Sequence, residues 1–153
     1  MRSSAGGSPG TGPERPWADA KAPSLEEFEQ LAAVAFAGLP STFRQLCDGV
    51  VIRVVEFPED DILTELGIES PFDLLGLFTG VGLAQGGFPE QLGTGQIPNM
   101  VWLYRRPLLD YWAEHDETLG HLIGHVLIHE IGHHVGLSDD DMERIEAAAD
   151  ETA

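Results

Sequence analysis

From Ser24 onward the apolar positions fall at helical spacing, with Leu25, Phe28, Leu31, Ala32 and Ala35 lining one face. Ser24 and Glu27 form an S-x-x-E capping box that opens this helix, and Gly38 and Pro40 stop it. A short second helix or turn is expected over Ser41–Leu46. The spacing then changes. Val50–Phe57 (VVIRVVEF) is a β-branched run between Gly49 and Pro58 and predicts a strand. Glu59–Leu66 predicts one or two helical turns, and Pro71–Leu75 another turn. Leu77–Leu83 predicts a second strand, in which Gly80 and Gly82 mark a bulge or a close backbone approach. Residues 84–98 read as a loop rich in glycine and proline. Met100–Tyr104 predicts a third strand, and Pro107–Glu114 a helix with Pro107 in its first turn. The strongest helical segment runs from about Glu117 to Val135 and is ended by Gly136. Ser138 caps a last, acidic helix over Asp139–Asp150.

These elements predict an α/β (α+β) fold: a small mixed sheet of three or four strands, backed by helices, with the Glu117–Val135 helix packed across it. No internal repeat interrupts it, and 153 residues suit one domain. That domain is expected to span residues 24–153. Residues 1–23 are rich in Gly, Pro and Ser and bury too little apolar surface to offset the entropy of ordering, so they predict a disordered tail with Trp17 as a lone exposed aromatic.

Charge narrows the partners. With 26 acidic against 8 basic residues the formal net charge is −18. Such a surface repels a phosphate backbone and an anionic bilayer, so neither nucleic acid nor membrane is expected as a partner, and a basic peptide or protein is favoured. No stretch is long and apolar enough to span a membrane, and the first residues lack the apolar core of a signal peptide. The single cysteine, Cys47, forms no intrachain disulfide, which fits a reducing cytoplasm.

The chemistry lies in HEIGHHVGLSD, His129 to Asp139. His129 and His133 stand one helical turn apart on one face, where two imidazoles reach a single zinc at about 2.0–2.1 Å. Glu130 projects beside that ion, as a general base does in H-E-x-x-H enzymes. A third ligand is needed. Gly136 can adopt the left-handed conformation that ends a helix and turns the chain back, which would return the Asp139 carboxylate to the ion. Two His and one Asp leave a fourth position open, the catalytic rather than the structural arrangement.

H-E-x-x-H-x-x-G-x-x-D is a metzincin-like signature, and the chain resembles the small bacterial zincin-like metallopeptidases from about Phe28 to Ile145. The resemblance is carried by VVIRVVEF, LLGLFTGVGL, NMVWLYRRPLLDYW and HVLIHEIGHHVGLSDDDM. It implies a compact, minimal zincin-like core, a zinc cofactor on His129, His133 and Asp139, and Glu130 as catalytic base. It also implies a peptide or protein substrate, cleaved by Glu-assisted attack of zinc-bound water. By the same resemblance, Asn99–Tyr104 is the candidate edge strand along which an extended substrate would lie, although Val101 and Leu103 equally suit a buried strand.

Two rival readings stay open: a zinc hydrolase acting on something other than peptides, and a non-enzymatic interaction module whose zinc is structural. The second predicts a fourth protein ligand, for which His125 is the obvious candidate. His121 and His125 otherwise read as solvated or supporting the site, His115 as a surface residue and His134 as partly buried or hydrogen-bonded and not ligating. Met142 reads as a core methionine rather than a floor beneath the metal. Gly124 and Gly132 suggest close packing against another element. Arg105 and Arg106 read as surface ion-pair partners.

Overall fold

The computed structural model describes residues 17–47, 49–80 and 99–152. The chain runs through α1 (Leu25–Ala37), α2 (Ser41–Leu46), β1 (Val51–Val55), α3 (Asp60–Leu66), a 3-10 turn at Pro71–Asp73 and β2 (Gly76–Thr79). It continues with β3 (Met100–Tyr104), α4 (Arg105–Glu114), α5 (Leu119–His134) and α6 (Asp139–Thr152). The predicted α/β class is correct. The expected loop over 84–98 and most of the expected tail over 1–23 lie outside the described residues. Trp17 is 82% exposed, and Pro23, just before α1, is fastened by Arg105, whose Nε donates to the Pro23 carbonyl at 2.6 Å.

Local chemistry sets the ends of the elements. Ser24 and Glu27 make the reciprocal capping box that opens α1. α5 starts at Leu119 rather than near Glu117 because Thr118 caps it, its hydroxyl accepting from the His121 amide at 3.1 Å. α4 starts at Arg105, straight out of β3, so Pro107 is its third residue. A first-turn amide has no partner inside the helix, and its loss at Pro107 costs nothing. β2 starts at Gly76 and ends at Thr79, because Gly80 takes φ +133°; the rest of the expected Leu77–Leu83 strand lies outside the described residues.

The three strands are ordered β1-β3-β2, with β1 parallel and β2 antiparallel to β3. β3 is therefore the centre of the sheet. This corrects the expectation that Asn99–Tyr104 offers a free edge to a substrate: Val101 sits between Ile52 of β1 and Phe78 of β2, and Val101 and Leu103 are wholly buried. The alternation of the pleat puts Ile52, Val54, Val101, Leu103, Gly76 and Phe78 on one face. On that face α1 packs over β1, and α5 over β2 and β3.

The back of α5 supplies most of the core. Leu122, Ile123, Leu127, Ile128 and Ile131 are all at least 99% buried, joined by Phe28, Phe43, Leu108 and Met142 from the surrounding helices. Each such side chain stabilises the fold by about 2 kcal/mol through removal of apolar surface from water. Gly76 lets α5 come close to the sheet: a Cβ there would stand 2.8 Å from Val126 Cγ1. The opposite face carries Trp102, whose indole donates to the Thr79 hydroxyl at 3.0 Å. As expected, Arg105 pairs with a carboxylate, that of Glu56 at 2.9 Å, whereas Arg106 lies over the Phe57 ring.

Candidate metal centre

The turn after α5 closes as a Schellman motif. Gly136 takes φ +87°, its amide donates to the His133 carbonyl at 3.2 Å, and the Leu137 amide donates to the Gly132 carbonyl at 2.9 Å. Ser138 then caps α6: its hydroxyl accepts from the Asp141 amide, and the Asp141 carboxylate accepts from the Ser138 amide. Asp141 is the third residue of a capping-box arrangement, so the acidic run serves the helix start.

This reversal returns the chain toward the histidines. Asp139 Oδ1 lies 3.7 Å from His133 Nε2, and both side chains are largely exposed. The His129 and His133 rings stand edge to face with centroids 5.8 Å apart. On the other side of His129 a second group gathers. The His125 ring is 4.2 Å from that of His129. Glu146 reaches in from α6, its Oε2 touching His125 Nδ1 and lying 3.6 Å from His129 Nε2. His129 thus stands between two clusters, one with His133 and Asp139, the other with His125 and Glu146.

The imidazole of His129 is suited to bind a cation. Burial, helped by the neighbouring His125, pulls its pKa below the ordinary histidine value, while Glu146 and Asp139 act the other way. A neutral ring keeps a lone pair for a metal. Glu146 Oε2 is cut off from solvent and accepts no hydrogen bond of proper direction, despite its contact with His125. A buried carboxylate oxygen without a hydrogen bond, facing two imidazole nitrogens, fits a cation seat. The donor set around His129, nitrogen and carboxylate oxygen only, suits zinc and other divalent transition metals.

Glu130 lies against the sheet and within electrostatic reach of His133. Its carboxylate takes a hydrogen bond from the Phe78 backbone. Phe78 and Gly76 alternate with the β2 residues bonded to β3 (Tyr104 donates to Leu75), so the Phe78 amide faces the outer side of β2. Burial raises the Glu130 pKa above the usual glutamate value; the Phe78 bond and His133 offset part of that rise. Its charge, after burial, also helps push the Tyr104 hydroxyl to about 12. Phe78 does double duty, since its ring stacks on His134 at 3.8 Å. His134 is partly buried, as expected, but its Nε2 has no hydrogen-bond partner. His121 pairs with Glu117 at 2.9 Å, and His115 lies at the surface against Tyr111.

A family model described as zincin-like metallopeptidase matches residues 47–149. The chain belongs to the zincin-like metallopeptidase family. Family membership implies a metal ion, typically zinc. The matched stretch runs from the residues before β1 to α6 and takes in both clusters around His129. Among solved structures the chain is similar to a conserved hypothetical protein from Thermo thermophilus, at 22% identity, over 73% of this chain and 94% of that one, with a TM-score of 0.47. No curated protein matches the chain.

Glu146 escaped the sequence reading, although two signals were present. Met142, Ile145 and Ala149 recur at helical spacing, and Glu146 borders the face they bury. In a helical hairpin turning at Gly136, Glu146 also lies about as far beyond the turn as His125 lies before it. Met142 is fully buried against Gly132 and is a core residue, as expected.

Proposed function

We propose that this zincin-like protein is a zinc-dependent metallopeptidase in which His129, His133 and Asp139 hold the ion and Glu130 is the general base. The observation that carries the reading is the return of Asp139 to within 3.7 Å of His133 across the Gly136 turn, beside the H-E-x-x-H helix of a zincin-like chain. A zinc ion held there supplies Lewis acidity, polarising a scissile carbonyl and making water acidic enough to be deprotonated near neutral pH. Glu130 contributes the proton transfer: ionised, it accepts a proton from the attacking water and returns it to the leaving amine. A carboxylate has two accepting oxygens, so the hydrogen bond from the Phe78 backbone leaves Glu130 the capacity for that exchange. Burial favours proton uptake by this carboxylate, which suits a base that must also act as an acid.

The net charge of −18 favours basic peptides or proteins as substrates, and the buried free thiol of Cys47 suits a reducing cytoplasm. No helix among the described residues is long and apolar enough to cross a membrane. The test is metal content after chelator-free purification, followed by peptide cleavage. Zinc is expected in the wild type and is bound more weakly by His133→Ala, and Glu130→Gln is expected to keep zinc while losing cleavage. A Glu130→Gln protein with full function would leave a structural zinc module as the answer. Cleavage of non-peptide esters or amides alone would make the protein a hydrolase of another class.

A further inference from the structure

We propose that His125, His129 and Glu146 form a second seat for a divalent transition-metal ion, which shares His129 with the first seat and excludes it. One ligand atom from each of the three residues lies within 4.8 Å of the other two, so modest side-chain closure brings all three to the bond lengths of about 2.0–2.2 Å that zinc requires. His125 and His129 are one turn apart on α5, and Glu146 comes from the facing helix α6, so two rigid elements define the seat. The contacts inside the cluster are not those of a satisfied hydrogen-bond network. Glu146 Oε2 is shut off from water and has no hydrogen bond, while two imidazole nitrogens face it.

The seat has its own approach. A cavity of about 530 Å³ between α1, α5 and α6 has His125 and Glu146 on its wall, with Leu31, Val34 and Gly124 around them. A Cβ on Gly124 would meet nothing within 4 Å, so the helix leaves this mouth open. His133 and Asp139 do not line the cavity.

His129 Nε2 is the nitrogen nearest Glu146, and one ring nitrogen binds one ion at a time. An ion in the second seat therefore leaves His133 and Asp139 without a cation. The exclusion rests on the first seat as assigned under Proposed function; the second seat stands on its own geometry. Its function is to hold the ion in a form that does not serve Glu130, with Glu146 setting the balance between the two positions.

The test uses the full chain, stripped of metal by chelation and titrated with Co²⁺ while its visible absorption is followed. Circular dichroism confirms that each variant is folded. Glu146→Gln is isosteric, and His125 is half exposed, so His125→Asn provides a second, independent way to remove the seat. The His133→Ala/Asp139→Asn protein is expected to keep one Co²⁺ site with an altered spectrum. Adding Glu146→Gln or His125→Asn to it is expected to weaken that site by about 100-fold or more, since losing a ligand costs at least as much as losing a group that supports one. If folded His133→Ala/Asp139→Asn protein binds no Co²⁺, or binds it regardless of Glu146→Gln, the second seat does not exist and the first is unaffected. If Glu146→Gln alone abolishes Co²⁺ binding while His133→Ala leaves it unchanged, the second seat stands and the ligand set under Proposed function falls. Two equivalents of Co²⁺ on the wild type would overturn the exclusion.

Discussion

Gly132 and Met142 meet where α5 crosses α6, and a Cβ built on the glycine would stand 2.5 Å from the methionine sulfur. Gly124, two turns earlier on the same helix, faces open space. Both glycines lie inside a helix, where alanine is preferred by about 1 kcal/mol. The two substitutions should therefore act in opposite directions. Gly124→Ala is expected to stabilise the metal-free protein by about 1 kcal/mol, and Gly132→Ala to destabilise it by about 1–3 kcal/mol through overpacking. Urea midpoints of the two variants read the difference directly; equal shifts of the same sign would contradict the packing described.

Gly136 carries the turn that returns Asp139 to His133, at φ +87° with nothing near a Cβ. An alanine there meets only backbone strain, costing about 1–2 kcal/mol. Relief of that strain would unwind the Schellman turn and displace Asp139. Gly136→Ala should lower the urea midpoint and also weaken zinc binding, measured by competition with a chromophoric chelator. Lower stability with unchanged zinc affinity would mean that Asp139 is not held by this turn.

The sequence showed the His129–Asp139 segment well because its information is local. Helix periodicity, Gly136 and the Ser138 cap all act within a few residues of the groups they place. The order of the sheet was less legible. Val101 and Leu103 have the composition of a strand in either position, and only long-range pairing with both β1 and β2 makes β3 central. The cost of glycine inside a helix also pointed to close packing at both Gly124 and Gly132, but only the second has a neighbour. Glu146 was hidden for the same reason as the strand order: its partners lie on another helix, and its place beside the buried face of α6 does not say which side chains it meets there.

Burial raises the thiol of Cys47 to about 11 and keeps it protonated through the neutral range. Its sulfur also donates to the Phe43 carbonyl at 3.2 Å. Since the thiolate is the reactive form, the native protein should not react with an aromatic disulfide reagent at mildly alkaline pH, and should react at once in urea. Rapid labelling of the native protein would place Cys47 outside the core.

Glu130 gives the metal-free protein a pH-dependent stability of predictable sign. Its pKa is raised in the fold above the ordinary 4.5, so its contribution is fully present below that value and is lost as pH rises through the raised one. The Glu130→Gln variant, with a neutral amide at this position, has no such loss. Thermal melts of chelated wild type and Glu130→Gln should coincide in acid and separate toward neutral pH, with the variant melting higher. A constant offset across the range would mean that the carboxylate is not desolvated.

The parallel pairing of β1 with β3 sets Val51 beside Met100, residues 49 positions apart in the chain. A connection of that length must close before the central strand gains its second neighbour, and closing it costs chain entropy before any ladder bond forms. The motif helix packs on the face this closure creates. Refolding of the chain should therefore be slow for its size and its rate set by sheet assembly, with the histidines brought into place late, however early α5 itself winds.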